Sequence, residues 1–147
     1  MDRYGVYILR LFITFFIFTS LVFSSSFEIE KKLYTLIVFS IFPQKTMIKI
    51  WTDEPRKKEI LLHVKNIQIV NDPESADLII VKSTHLPKTS ALVFVSDYNL
   101  LNKYKDRAIG GFYWQKGRPN LLFLSKNLQA FHIELSKNMQ EYIEDSL

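Results

Sequence analysis

Seven polar residues that each follow an apolar segment are the best candidates for ligand binding. They are Thr52 and Asp53 after the first segment, Ser83, Thr84 and His85 after the second, and Ser96 and Asp97 after the third. If the three segments are neighbouring parallel strands, these side chains converge at one edge of a sheet, where open α/β sheets usually bind ligands. The same residue types also cap helices and form turns, so a purely structural role is the alternative.

Three of these residues have the side chains of a hydrolytic triad, but their arrangement does not favour catalysis. Ser83 lies in no Gly-x-Ser-x-Gly turn before a helix. His85 and Asp97 complete the set, but nothing in their spacing supports a triad with Ser83. His63 and His132 add no spacing typical of a zinc site, and the glycines form no nucleotide-binding fingerprint. The sequence therefore predicts a protein that is not an enzyme and that has no metal or cofactor.

The segment from residue 110 to residue 120 contains the second group of candidates, Tyr113, Trp114, Lys116 and Arg118. Large aromatic side chains there stand beside two cations at a turn. Exposed aromatics and planar arginines are favoured at protein interfaces, so we expect this turn to contact a partner. Two alternatives are that Arg118 binds an anion and that the turn is solvated, with its aromatic side chains packed inward.

Alternating helices and strands must position these residues. The predicted helices are Glu28–Phe42, which Pro43 ends, a helix from Pro55 to about Val64, and a helix that Ser96 and Asp97 cap and that ends at Tyr104. The predicted strands are Met47–Thr52, Ile67–Val70, Asp77–Lys82 and Ala91–Val95. Unbroken β-branched runs are typical of strands buried on both faces of a parallel sheet.

The C-terminal third is predicted to add a hairpin and two short helices. The hairpin joins Ala108–Gln115 to Asn120–Leu124, with Pro119 at a strand start or edge. Ser125 and Ser136 are the predicted caps of the two helices, and Met139, Tyr142 and Ile143 are the predicted buried stripe of the second helix. The order of elements predicts one three-layer, Rossmann-like α/β domain with a mostly parallel sheet and an antiparallel edge hairpin.

Residues 1–26 have the three parts of a secretory signal peptide. Arg3 and Arg10 precede the apolar run Leu11–Phe23, and three serines follow it. The run is short for a membrane-spanning helix, although flanking helical residues could extend it into an uncleaved anchor. We therefore expect residues 1–26 to direct residues 27–147, a single α/β domain, to the periplasm or outside the cell, with an N-terminal membrane anchor as the alternative.

Charge and cysteine content narrow the classes of function. The formal net charge of +4 is mild and spread along the chain, whereas nucleic-acid binding needs a concentrated basic patch. The chain has no cysteine, which excludes disulfides and thiol catalysis. Protein and small-molecule partners therefore remain, and nucleic acid is not expected.

Four segments give the chain a resemblance to the YfiR family of periplasmic regulatory proteins. They are the Phe42–Pro43 pair that closes the first helix, the strands 76–81 and 91–97, and the hairpin that ends at 120–124. The chain lacks the cysteines that some members use for disulfides, and its residues 135–139 match the closing pattern only loosely. The resemblance implies a Rossmann-like domain that binds the outward-facing part of a membrane signalling protein, typically a diguanylate cyclase.

These observations lead to one expected function and one alternative. The expected function is a non-enzymatic, exported binding module that regulates a membrane-bound signalling protein, such as a diguanylate cyclase or a sensor kinase. The alternative is a small-ligand sensor or carrier that uses the seven polar residues at the carboxyl ends of the strands.

Overall fold

A computed structural model describes residues 26–147 of the 147-residue chain. The expected signal peptide lies outside the described residues, apart from Ser26 at its end. Helix α1 covers residues 26–41. Its last turn closes where the Phe42 amide donates to the Val38 carbonyl, immediately before Pro43. No helix within residues 26–147 combines the length and the apolarity needed to cross a membrane.

The remaining elements follow in alternating order along the chain. The strands are β1 (Ile48–Thr52), β2 (Ile67–Ile69), β3 (Leu78–Val81), β4 (Leu92–Val95), β5 (Ala108–Gln115), β6 (Arg118–Leu124) and β7 (Ile143–Glu144). The helices are α2 (Pro55–Leu62), α3 (Tyr98–Lys103) and α4 (Ser125–Ala130), with 3₁₀ turns at Pro73–Ser75 and Lys137–Tyr142. Pro55 occupies the first turn of α2, where its missing amide hydrogen costs no hydrogen bond.

The seven strands form one sheet in the order β2-β1-β3-β4-β5-β6-β7. Strands β1 to β5 are mutually parallel, β5 and β6 form the antiparallel hairpin, and β6 and β7 are again parallel. The α/β class and the mostly parallel sheet are therefore confirmed. The expected position of the hairpin at the edge of the sheet is wrong, because the two-residue strand β7 lies outside β6.

Two buried clusters cover opposite faces of the sheet, because successive side chains of a strand point to opposite sides. Leu78 and Ile80 of β3 pack with α1 and with the C-terminal segment around Met139. Ile79 of β3 packs with Leu101 of α3 on the other face. All four residues of β3 are buried, which explains its uninterrupted apolar sequence.

The C-terminal segment departs most from expectation. Residues 137–142 form a 3₁₀ turn that leads into β7, rather than an α-helix. Ser136 provides no side-chain cap to that turn; its hydroxyl bonds to Ser40 of α1 and to Asn138. Ser125 is likewise no cap, because it is the first residue of α4 and its hydroxyl donates to Asp145. Ser136 therefore connects the C-terminal segment to α1, and Ser125 connects α4 to the residue that follows β7. Local sequence patterns do not reveal such distant partners.

The expected stripe of Met139, Tyr142 and Ile143 is wrong as a single helical face. Met139 is buried, whereas the Tyr142 side chain is 36% exposed. Ile143 belongs to β7 and pairs with Phe123.

Candidate functional site

The sheet brings the ends of β1, β3 and β4 together, as the sequence predicts. The three strands are adjacent and parallel, so their carboxyl ends lie at one edge, called the carboxyl edge below. The chain adds β2 on one side of β1 and β3 on the other, so the strand order reverses between β1 and β3, which is the usual ligand position in open α/β sheets. All seven polar candidates follow these strands, but most of them are engaged in bonds to backbone groups.

Asp53 joins the ends of β1 and β3. Its carboxylate accepts hydrogen bonds from the Lys82 amide at 2.9 Å and from the Ser83 amide at 2.8 Å. Thr52 Oγ1 accepts from the Glu54 amide at 3.2 Å. Each of these two residues therefore satisfies backbone donors that the strand ends leave without partners.

The candidates after β3 and after β4 also form hydrogen bonds within their own loops. Ser83 Oγ donates to the His85 carbonyl at 3.2 Å, and Thr84 Oγ1 lies 3.2 Å from His85 Nδ1. Asp97 caps α3 by accepting from the Asn99 amide at 2.8 Å. Because the hydroxyl of Ser83, the ring of His85 and the carboxylate of Asp97 each have a different partner, they do not form a catalytic relay.

Ser96 is the exception among the seven. It does not share the cap of α3 with Asp97, contrary to the sequence prediction. Its Oγ is buried and interacts with the Tyr34 hydroxyl, although neither of these two oxygens makes a hydrogen bond of good geometry within residues 26–147, and the same holds for Glu54 Oε1. Unpaired buried polar atoms are rare because losing water without a replacement bond is costly. Ser96 therefore contributes to the buried surroundings of Tyr34 and not to a cap or a turn.

Five charged residues surround this position and connect α1 to α2 and to the end of β3. They form the charge cluster and are Glu30, Glu54, Arg56, Lys57 and Lys82. Glu30 pairs with Lys57 at 3.1 Å and with Arg56 at 3.2 Å, and the Glu30 and Lys57 side chains are each only 9% exposed. Glu54 Oε2 lies 3.9 Å from Lys57 Nζ and 3.8 Å from Lys82 Nζ.

Tyr34 lies against this cluster from the core side. It is fully buried, with Lys57 Nζ 5.0 Å from its ring centre and with Phe112 in edge contact at 5.7 Å. Burial strongly raises the pKa of the Tyr34 hydroxyl; the neighbouring Ser96 hydroxyl opposes this rise, and the carboxylates of Glu54 and Glu30 add to it. Tyr34 therefore remains a neutral hydroxyl at physiological pH.

An open depression of about 580 Å³ adjoins the cluster at the solvent side. It is lined by Asp53, Glu54, Pro55, Arg56, Lys82 and Ser83. Glu54 belongs both to this depression and to the buried set of unpaired atoms. Glu54 therefore lies at the boundary between the depression and the charge cluster.

The hairpin tip, which comprises residues 114–119, is the second candidate region. Lys116 and Gly117 form its two-residue loop with φ angles of 50° and 74°, the left-handed pair that tight hairpins require. The Trp114 side chain is 54% exposed, and the residues from Gln115 to Pro119 are all exposed. Trp114, Lys116 and Arg118 are therefore accessible to a partner.

Tyr113 does not belong to this surface. Only 7% of Tyr113 is exposed, and its ring packs 5.5 Å from that of Tyr98 at the start of α3. Alternation along β5 explains the difference from Trp114, whose side chain points to the opposite face. The expectation that Tyr113 contacts a partner is corrected accordingly.

Along the chain, the hairpin and its flanking residues carry charges of one sign only. The sequence contains no acidic residue from Arg107 to Ile133, whereas four cations lie in that stretch. No carboxylate of the described residues pairs with Lys116 or Arg118. Because β5 is parallel to β4, its end and the hairpin tip project from the carboxyl edge, on the same side as the depression.

The residues of the buried cluster were missed by sequence reasoning. Glu30 and Tyr34 are four positions apart on a helix that is otherwise apolar on that side, which is the one local signal that they share a face. Glu54, which precedes the first residue of α2, and Lys57 within α2 are three positions apart. What the spacing does not reveal is that α1 and α2 place these two pairs against each other.

Comparisons with protein-family models and with curated proteins find no match to this chain. Within residues 26–147, no three His, Asp or Glu side chains are grouped in a way that could hold a metal ion. The two regions at the carboxyl edge and the sequence of the first 26 residues are therefore the features that bear on function.

Proposed function

We propose that the protein is an exported, non-enzymatic regulator that binds the outward-facing part of a membrane-bound signalling protein, in the manner that its resemblance to the YfiR family implies. The hairpin tip is the proposed contact. The partner surface that fits it is acidic, because the tip presents two cations that pair with no carboxylate within residues 26–147, beside an exposed indole ring.

The exposure of Trp114 is the observation that carries this proposal. A tryptophan side chain with 54% exposure leaves a large apolar surface in water. Tryptophan and arginine are the residues most enriched among those that dominate binding energy at interfaces. Trp114 pairs with Pro119 across the hairpin, and Arg118 with Gln115, so the two-residue loop holds Trp114 and Arg118 in fixed positions. Such preorganisation lowers the entropy lost on binding.

The proposed regulation works by selective affinity. A bound protein shifts its partner between two conformations only if it binds one of them more tightly. The cationic tip would favour the conformation in which acidic groups of the partner are brought together. Export through residues 1–26 supports this arrangement, since it would place the domain beside the outward-facing parts of membrane proteins.

The experiment is affinity capture from solubilised membranes of the native host, with protein made from the complete reading frame. We expect a membrane signalling protein to be captured by the wild type and to be lost with Trp114→Ala and with Arg118→Glu. Leu62→Ala and Lys65→Glu are the matched controls, because both residues are exposed and lie at or just after the end of α2, at the opposite edge of the sheet.

Two results would contradict the proposal. One is capture that the tip variants and the control variants reduce equally, which would place the contact elsewhere. The other is an intact Met1 terminus on protein recovered from the host cytosol, detected by mass spectrometry, because that protein would never meet an outward-facing partner.

A further inference from the structure

The last residue of the expected signal peptide belongs to the folded domain. Ser26 lies in α1, and its Oγ accepts a hydrogen bond from Arg56 Nη2 at 3.2 Å. The same guanidinium group pairs with Glu30, one turn further along α1. The peptide bond between Ser26 and Phe27 therefore lies within a helix that is bonded to α2. Proteolysis favours exposed backbone without hydrogen bonds, so cleavage at this bond requires the first turn of α1 to be unfolded.

Helix α1 begins at the carboxyl edge of the sheet. Its first two turns contact Arg56 and Lys57 at the beginning of α2, shortly after the end of β1. Beyond the other end of α1, Lys45 pairs with Asp77, which immediately precedes β3. Helix α1 is therefore antiparallel to the strands, and the chain continues from Ser26 towards residue 25 at the carboxyl edge.

The hairpin tip extends about as far from the sheet as the start of α1 does. Tyr34 of α1 and Phe112 of β5 are in edge contact, with ring centres 5.7 Å apart. From this contact, eight residues lead back to Ser26, which is about 12 Å of helix. Four residues lead from Phe112 to Lys116, which is about 13 Å of strand. The start of α1 and the hairpin tip therefore project to a similar distance on the same side.

The apolar run of the N-terminal segment lies close to this side in the sequence. The run Leu11–Phe23 ends three positions before Ser26. Three residues span at most about 10 Å, even in a fully extended chain. If the run is held in a membrane, the start of α1 therefore lies within about 10 Å of the lipid surface, and the hairpin tip lies at a similar height.

We infer that residues 1–26 remain attached as a membrane tether and that the carboxyl edge, with the hairpin tip, faces the lipid surface. Tryptophan is favoured at the interface between lipid and water, and anionic headgroups attract basic side chains. The exposed Trp114, Lys116 and Arg118 have the chemistry that this position requires.

The tether would also affect how the protein meets its partner, and this consequence rests on the proposed function. A hairpin tip that faces the membrane lies beside the membrane-adjacent part of a membrane-bound signalling protein. Two proteins held in one membrane meet at a raised effective concentration, so even a small contact surface such as the tip can give stable binding.

The tether is tested on protein recovered from the native host. We expect mass spectrometry to find at least tenfold more chain that retains residues 1–26, in the membrane fraction, than chain that begins at Phe27. A predominantly soluble protein that begins at Phe27 would overturn the tether. That outcome would not contradict the proposed function, because a cleaved protein is still exported.

The orientation is tested with the full chain in vesicles of phosphatidylcholine and phosphatidylglycerol that carry a fluorescence quencher at the headgroup. The sequence has no cysteine, so one substitution defines the position of a fluorescent label. Gln115→Cys places the label at the hairpin tip. Gln44→Cys is the matched control, because Gln44 is also exposed and follows the end of α1, about 20 Å further from the lipid.

We expect the label at position 115 to be quenched at least twofold more strongly than the label at position 44. Equal quenching, or stronger quenching at position 44, would overturn the orientation. Trp114→Ala separates this inference from the proposed function: the variant should lose the captured partner, while its chain keeps residues 1–26 and stays in the membrane fraction.

Discussion

At the carboxyl edge, the charge cluster and the hairpin tip use charged side chains in opposite ways. In the charge cluster, Lys57 is 9% exposed and lies within 4 Å of two carboxylates. At the tip, Lys116 and Arg118 are exposed, and no carboxylate of the described residues pairs with them. Buried charges must be compensated within the fold, whereas exposed charges can be left for a partner. The cluster should therefore matter for stability, and the tip for binding.

The largest effect on stability is expected at Glu30. Its carboxylate pairs with both Lys57 and Arg56, and its removal leaves the buried Lys57 ammonium with Glu54 at 3.9 Å as its remaining carboxylate. We expect Glu30→Ala to lower the free energy of unfolding by about 3 kcal/mol in urea titrations. Glu28→Ala is the control, since that side chain is 58% exposed and its ion pair with Lys31 contributes at most about 0.5 kcal/mol. Equal losses in the two variants would contradict the special role of the cluster.

The next effect separates the base of the hairpin from its tip. A Cβ at Gly110 would collide with the Leu122 carbonyl oxygen of β6 and would touch the Phe123 ring at 3.0 Å. Gly117 has open space around it and only a positive φ of 74°. We expect Gly110→Ala to cost about 3 kcal/mol of unfolding free energy, through displacement of a core strand, and Gly117→Ala about 1 kcal/mol, through backbone strain. A larger cost at Gly117 would show that the tip, not the base, controls hairpin stability.

Alkaline pH tests the buried hydroxyl of the cluster. Burial raises the pKa of Tyr34 above the ordinary value of 10.0, so the folded state holds this proton more tightly than the unfolded chain. The buried, protonated hydroxyl therefore leaves the free energy of unfolding unchanged below pH 10. Above pH 10 the unfolded chain loses this proton and the folded state keeps it, so the free energy of unfolding falls by up to about 1.4 kcal/mol per pH unit. We expect Tyr34→Phe to unfold with a shallower pH dependence above pH 10. Burial also raises the pKa of Tyr113, so part of the pH dependence of unfolding remains in the variant.

At neutral pH the same substitution gives the control. Within residues 26–147 the Tyr34 hydroxyl makes no hydrogen bond of good geometry and interacts only with the Ser96 hydroxyl, so its removal sacrifices little. We expect Tyr34→Phe to change the free energy of unfolding at pH 7 by less than about 1 kcal/mol. A larger loss would mean that the hydroxyl makes a strong bond in solution.

The smallest effect on stability is expected at the hairpin tip. Arg118 and Trp114 are exposed, and exposed substitutions usually change stability by about 0.5 kcal/mol or less. We expect Arg118→Glu and Trp114→Ala to unfold near the wild-type midpoint in urea while losing the captured membrane partner. A marked drop in the unfolding midpoint would assign the tip a structural role instead.

Much of the fold could be predicted because its signals are local. The buried run Leu78–Val81 marks a strand within four residues, and Pro43 and Pro55 mark helix boundaries by removing a backbone donor. The two short C-terminal elements were harder to predict. Strand β7 has only two residues, and its pairing with Phe123 lies 20 positions back along the chain.

The candidate site was predictable only in part, for a related reason. The apolar runs placed Asp53, Ser83 and Ser96 at the ends of neighbouring strands, and the structure confirms that position. Their bonds were not predictable, since Asp53 meets its backbone partners 29 and 30 positions along the chain. A residue type indicates what a side chain can bond to, and the packing of distant elements decides what it meets.

The sequence by itself determined where most strands and helices before residue 131 begin, that the sheet is mostly parallel, and that a hairpin carries cations and aromatics. Each of these follows from patterns within about 10 neighbouring residues. Only the tertiary structure decided that Glu30 meets Lys57, 27 positions away, and that the buried Tyr34 hydroxyl meets Ser96 and Glu54. The physical reason is that these contacts depend on how α1 and α2 pack on the sheet, and that packing is set by the whole core at once.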